Sequence, residues 1–382
     1  MSSETQPPSS TPPSENLTSR APLQGRAEEL PPVTPPSAGY IIQLFLIPAL
    51  IVAAVVAVWA LFGKLADSET DWRQMVADLG SSNEHRRWRS ALGLAQLLRN
   101  SDRAPVEGEL PLSEQPIVIE GLTELLKQSL SGNATDDEDI RHQEFLARTL
   151  GSLDADDKVL PVLAIAMSKD QDIDVRKSAL MAVSMIAGRH FEKATEFNPA
   201  SEDSPVTAAE RGLPLSQPTI TDEQVLQQLK QAVQDEDPVI RHLAGFAVAS
   251  VSGDDSIAML KVMLDDADSK ARANAAIGLA RNGLTDGVDQ LQALLASSGE
   301  PFDMSSVQSL SPEEQLMEKN RFEVEQPMIA RNCLRAILEL WPQIPSEKQA
   351  ELSKLVDELA RSHFAADVRA MAAETAKQIK AP

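Results

Sequence analysis

The sequence predicts an all-α chain. A helical-pair solenoid of about seven repeats is preceded by one transmembrane helix and a disordered N-terminal tail. Three observations carry that expectation. Residues 41–62 contain 22 consecutive residues without a charge. The remainder repeats an acidic, aliphatic-Arg, small-residue pattern. Aromatic residues make up only 4% of the 382 residues, and no long alternating β-type run is found.

Residues 1–39 hold nine of the 25 prolines and almost no large apolar side chain. Such a stretch cannot bury enough apolar surface to offset chain entropy, so it is expected to be disordered. Its Pro31-Pro32-Val33-Thr34-Pro35-Pro36 run reads as a stiff spacer, with a ligand for a Pro-binding domain as the other reading.

Residues 40–63 are expected to form the membrane helix. At about 1.5 Å per residue, 22 residues span roughly 33 Å, against a hydrocarbon core of about 30 Å. Tyr40 and Trp59 stand near its ends, where amphipathic rings favour the interface. A cleaved signal peptide fits worse, because the apolar run is long and no clean Ala-x-Ala site comes after it. Pro48 is placed to kink the helix. Ala49, Ala53 and Ala57 form a small-residue stripe through which two such helices could dimerise, though alanine is also common in membrane helices. Arg20 and Arg26 precede the helix, whereas Lys64, Arg73, Arg86, Arg87 and Arg89 come after it. This bias favours a cytoplasmic C-terminal domain and leaves the extracytoplasmic arrangement open.

The formal net charge is −22. The tail contributes two Arg and four Glu, and Lys64 one positive charge, so −21 falls on residues 65–382. That balance argues against nucleic acid as a partner, because phosphate binding needs clustered Lys and Arg. It would steer a basic protein toward the domain.

Within residues 64–382 the repeat is marked by Arg87, Arg141, Arg176, Arg241, Arg272, Arg331 and Arg369. Their separations are 54, 35, 65, 31, 59 and 38, so short and long steps alternate. Arg87, Arg176, Arg272 and Arg369 are 89, 96 and 97 apart, a super-period of two repeats. Counting from the residue before each Arg, small or apolar residues recur at +4, +7, +8 and +11, one stripe along a helix. Val175, Ala179, Ala182, Val183 and Ile186 form one example, and Ile240, Ala244, Ala247, Val248 and Val251 another. Ala330 begins a third with Leu334, Ile337, Leu338 and Trp341. The Arg141 copy puts Glu144 and Arg148 on the stripe, and a two-residue slip to Leu146, Leu150 and Leu153 restores it. Acidic residues before each Arg belong at helix N-termini. Partner helices are expected around Leu226/Leu229/Val233, Ile257/Leu260/Leu264, Leu291/Leu294/Leu295 and Leu352/Leu355/Val356/Leu359.

The acidic-x-Val-Arg-x-x-Ala/Ser start and the aliphatic stripe resemble HEAT repeats, especially the phycobilisome-lyase-like variety. The resemblance covers most of residues 70–382. It implies a structural role for the seven arginines, each bonding an Asp of its own or a neighbouring repeat. Insertions are expected near 101–116, 190–220 and 298–325, each placed after a marked helix and so projecting from one edge. Leu110-Pro111-Leu112-Ser113 recurs as Leu213-Pro214-Leu215-Ser216, which points to duplication of a two-repeat block.

No phosphate loop, Gly-x-Ser-x-Gly or His-Glu-x-x-His is found in the sequence. The only cysteine, Cys333, reads as a packed helical residue and excludes an intrachain disulfide. His142 and His242 come directly after equivalent arginines one super-repeat apart, too far to share a metal. They are surface positions or part of a partner-binding row. Asp136-Asp137-Glu138-Asp139 lacks EF-hand spacing and reads as a helix start. No catalytic, cofactor-binding or metal residue is assigned. The function expected is a membrane-anchored protein–protein interaction scaffold without catalytic activity. Two alternatives are a bilin-lyase-like or other protein-modifying accessory factor, and a self-associating envelope protein.

Overall fold

The computed structural model describes residues 37–66, 72–99, 110–132, 137–195 and 212–380. Among them are fifteen α-helices, four short 3-10 turns and no strand. The chain divides into Met1–Thr70 and Asp71–Pro382.

In the first unit, α1 (Ala38–Ala66) is apolar apart from Gln43 and Lys64 and continues through Pro48. Its side chains from Ile42 to Trp59 are exposed, and it is long and apolar enough to cross a membrane. The tail at residues 1–39, expected to be disordered, lies outside the described residues except for its last three.

The second unit is a series of helix pairs. They are α2 (Trp72–Leu79) with α3 (Glu84–Arg99), α4 (Pro116–Ser131) with α5 (Asp137–Leu150), and α6 (Asp156–Ala166) with α7 (Ile173–Thr195). Next come α8 (Glu223–Ala232) with α9 (Pro238–Val251), and α10 (Gly253–Met263) with α11 (Ser269–Arg281). The last are α12 (Val288–Ser298) with α13 (Pro312–Leu340), and α14 (Ser346–Ser362) with α15 (Ala366–Lys380). One marker arginine lies on the second helix of each pair, giving seven repeats. The second helices α5, α7, α9 and α11 stack directly on one another.

The stripe explains the stacking. Val175, Ala179, Ala182, Val183 and Ile186 are fully buried, as are Ile240, Ala244, Ala247, Val248 and Val251. In α5 and the turn after it, the shifted set Leu146, Leu150 and Leu153 is buried, while Arg148 is exposed. Small residues bring backbones together. A Cβ on Gly278 would lie 2.6 Å from the Ala249 Cβ, and one on Gly151 would lie 2.8 Å from the Ala182 Cα. The predicted partner helices correspond to α8, α10, α12 and α14, with Leu229, Leu260, Leu291, Leu295, Leu352 and Val356 fully buried. Aspartates start several helices. Asp222 accepts from the Val225 N–H, Asp237 from Val239 and Ile240, and Asp268 from Ala271.

Two expectations need correction. First, 298–325 does not come after a marked helix. It lies inside a repeat, between α12 and α13, so it leaves from the end opposite the other two. Second, residues 312–325 are the first half of α13, which runs 29 residues and carries Arg331 in its interior. Ser311 starts that helix with a capping box to Glu314, and Pro312 occupies its first turn. Leu316, Met317 and Val324 of this half are exposed, whereas Phe322 is half-buried between Phe302 and Phe364. In the third stripe, Ala330, Leu334 and Ile337 are fully buried. Leu338 and Trp341 are only half-buried, and Leu340 takes the inner position.

Of the other insertions, 100–109 and 196–211 lie outside the described residues. The chain is docked immediately beyond both of them. Ser113 accepts at its carbonyl from the Asp154 N–H, 3.0 Å. Thr219 donates its N–H to the Val251 carbonyl at 2.7 Å and its hydroxyl to the Ser250 carbonyl at 2.9 Å. Both Leu-Pro-Leu-Ser copies therefore lead into straps that close on the end of the second helix of the next pair.

Candidate functional site

The arginines act largely within the array. Arg241 donates to backbone carbonyls six and five residues upstream, at Asp235 (2.8 Å) and Glu236 (3.1 Å). Arg272 does the same with Asp266 and Ala267, and Arg369 with His363 and Phe364. Arg87 reaches the carbonyl of Ser81. Each guanidinium thus holds the turn before its own helix.

Aspartates link successive repeats. Arg176 donates to Asp235, 2.5 Å away, and Arg241 places Nε and Nη2 on the two oxygens of Asp266 at 2.9 and 3.0 Å. Arg331 pairs with Asp367. At α11 a different rung appears, Lys270 to Glu325 at 3.0 Å. Arg141 is exposed. Burial pushes the Asp235 carboxyl up, but Arg176, the Asp237 N–H and Lys169 together bring it below its ordinary value. Burial likewise raises Asp266, and is outweighed by Arg241, the Asp268 N–H and the charge of Arg272. Sequence reasoning identified the arginines but not these acids. Their signal is an Asp-x-Asp placed six and four residues before Arg241 and Arg272.

The solvent face of the same helices carries large apolar side chains in register. Met181 on α7 and Phe246 on α9 each stand six places beyond the stripe's first residue, 36% and 44% exposed. Met185, one turn after Met181, is 41% exposed. His242 lies one turn before Phe246 and is half-buried, which lowers its pKa. His142 lies against Trp88, with ring centroids 3.7 Å apart, in a cavity of about 300 Å³. The two histidines are on α5 and α9, with α7 stacked between them. Cys333 is fully buried, and burial raises its thiol pKa to about 12. Ala49, Ala53 and Ala57 are exposed along α1.

Among the described residues, two groups of side chains could hold a metal ion: Glu84/Asp139/His142, and Asp154/Asp156/His190. Asp137 and Asp139 fall in the first turn of α5, as a helix start requires, while Asp136 lies outside the described residues.

The paired helices, the buried stripe and the inter-repeat arginines define an all-α helical-repeat protein. Residues 225–311 match the family model described as HEAT repeats, a span containing Arg241, Arg272 and both Asp-x-Asp segments. Among solved structures, the archaeal HEAT-like repeats protein from Thermococcus onnurineus NA1 is 14% identical. The alignment covers 82% of this chain and 98% of that one, with a TM-score of 0.40. A designed armadillo repeat protein in complex with the peptide (KR)4 is 14% identical, over 81% and 100%, at 0.36. Human deoxyhypusine hydroxylase in complex with glycerol is 16% identical, over 83% and 98%, at 0.27. No curated protein matches the chain.

Proposed function

We propose that the chain is a membrane-anchored scaffold whose helical array binds a protein partner and catalyses nothing itself. The observation that carries this reading is the apolar row of Met181, Met185 and Phe246 on the solvent face of two adjacent helices. Their own stripe residues form the buried cluster, and these three side chains lie outside it. Exposed Met and Phe in register form the kind of adaptable surface that partner proteins cover. His242 borders the row, while the two-residue slip of the α5 stripe sets His142 against Trp88 instead. The charge of the chain favours a basic partner. The apolar α1 supplies the anchor, and Ala49, Ala53 and Ala57 a face for dimerisation.

The test is in-cell crosslinking of the tagged full-length chain, with mass spectrometry of the captured proteins. A Met181→Glu/Phe246→Glu variant that keeps its helical circular dichroism should lose a specific heterologous crosslink. Retention of every crosslink by that variant refutes the row as the binding surface. Crosslinks only between copies of the chain turn the reading toward a self-associating array. The finer likeness to phycobilisome-lyase-like repeats predicts bound tetrapyrrole, read as visible absorbance of the protein purified from its own host.

A further inference from the structure

The turn between α5 and α6 and the last turns of α7 bring Asp154, Asp156 and His190 together. One ligand-capable atom from each lies within 4.8 Å of the other two. Nδ1 of His190 is 3.1 Å from the carbonyl oxygen of Thr219. A carbonyl only accepts, so Nδ1 carries the proton and donates it. In the neutral ring Nε2 is then a lone pair. That Nε2 faces Oδ2 of Asp156 at 3.3 Å. Two lone pairs at that distance repel, so positive charge belongs between them, as a second ring proton or as a cation.

Three observations favour the cation. Oδ1 of Asp156 is buried and has no hydrogen-bond partner among the described residues. Asp154 adds a second carboxylate, so one imidazolium would leave the group net negative. The 3.3 Å separation also matches the edge of a tetrahedron around a small ion. Bonds of about 2.0–2.2 Å to nitrogen and oxygen put two ligand atoms roughly 3.3–3.5 Å apart. Calcium, with longer bonds and six to eight oxygens, fits this spacing worse. A backbone carbonyl taking the other ring N–H is the usual support behind a metal-bound histidine. Arg189, the residue before His190, donates to the carbonyls of Gly151 and Leu153, and Lys193 lines the pocket beside His190.

We infer that Asp154, Asp156 and His190 form a site for one divalent transition-metal ion of the zinc class. The ion fastens the α5–α6 turn to the end of α7. Through Thr219 it also fastens the strap that enters α8. The Glu84/Asp139/His142 group is a weaker counterpart, because Arg87 lines the same cavity.

The experiment uses the full-length chain in detergent, stripped with a chelator and titrated with Co²⁺ as an optical probe. One Co²⁺ per chain should bind with the visible absorption of four-coordinate cobalt, and one Zn²⁺ should displace it. Asp156→Asn and His190→Gln should each weaken binding at least about tenfold, and His85→Gln should leave it unchanged. His190→Cys offers a thiolate in the same place and should add a sulfur-to-cobalt charge-transfer band. Should Asp156→Asn or His190→Gln fail to fold, the cysteine variant decides, and a folded His190→Cys protein without that band overturns the site. Failure of the wild type to take up a single saturable equivalent overturns it too. Uptake equal in wild type, Asp156→Asn and His190→Gln does the same.

Discussion

Arg176 and Asp235 form an ion pair across 59 residues of sequence, with side chains only 10% and 5% exposed. The same aspartate accepts the Asp237 N–H at one oxygen and gives its carbonyl to Arg241. One residue thus ties the α6–α7 pair to the turn that starts α9.

Removing the cation from that pair should be costly. Arg176→Met leaves a buried carboxylate unpaired, and losses of roughly 3–5 kcal/mol are typical of such changes. Urea unfolding of the full-length chain in detergent should show a lower midpoint for Arg176→Met. The change should be larger than for Arg331→Met, whose partner Asp367 is more than half exposed. Equal losses would deny the ladder its graded contribution.

Acid should weaken the ladder in a defined window. Asp235 and Asp266 have folded pKa values below the ordinary Asp value of about 3.9. Their contribution is therefore complete above that value and disappears as pH falls through the lower folded values. Stability attributable to them should be flat from pH 7 to about pH 5 and fall below about pH 4. An Asp266→Asn variant should be less stable at neutral pH and show a shallower acid slope.

Two glycines should respond oppositely to alanine. Gly151 has no room, since the added carbon would meet the Ala182 backbone at 2.8 Å, and a loss of about 1–3 kcal/mol is expected. Gly188 lies within α7 with nothing inside 4 Å of such a carbon, and Gly188→Ala should stabilise by up to about 1 kcal/mol. Thermal unfolding of the two variants checks both signs.

Cys333 should be inert in the native protein. Its thiol is fully buried and held near 12, so thiolate is scarce at pH 8. Alkylation by iodoacetamide should wait for denaturant and then reach one equivalent per chain. Prompt labelling of the native chain would show that this helix opens.

The membrane reading has its own check. The full-length chain should stay with membranes through alkaline carbonate, and deletion of residues 40–63 should release it.

The period of the array was legible because burial tracks helical spacing, and even the shifted face of α5 could be read from Leu146, Leu150 and Leu153. The extent of α13 was obscured by a Pro, Ser and Glu composition that suggests a loop. Yet Ser311 and Glu314 stood at capping-box spacing, with helix-forming residues after them. The Asp-x-Asp spacing that holds Asp235 and Asp266 was readable, but their pairing with Arg176 and Arg241 of the preceding repeats needed the stacking of α7, α9 and α11. The same holds for His190 and Asp156, which belong to adjoining segments of the fold but stand far apart along the chain.

The apolar interior groups into two buried clusters that meet at α11, with Leu264 packed against both. Ala271, Ala275 and Leu279 of α11 belong to the cluster that runs back to Val76, whereas Ala276 and Ala280 belong to the one reaching Ala376. The arginine–aspartate series also changes there to the exposed Lys270–Glu325 pair. Helix α11 is therefore a seam. Pulled by its two ends in an optical trap, the array should lengthen in two separate rips, the C-terminal block yielding first.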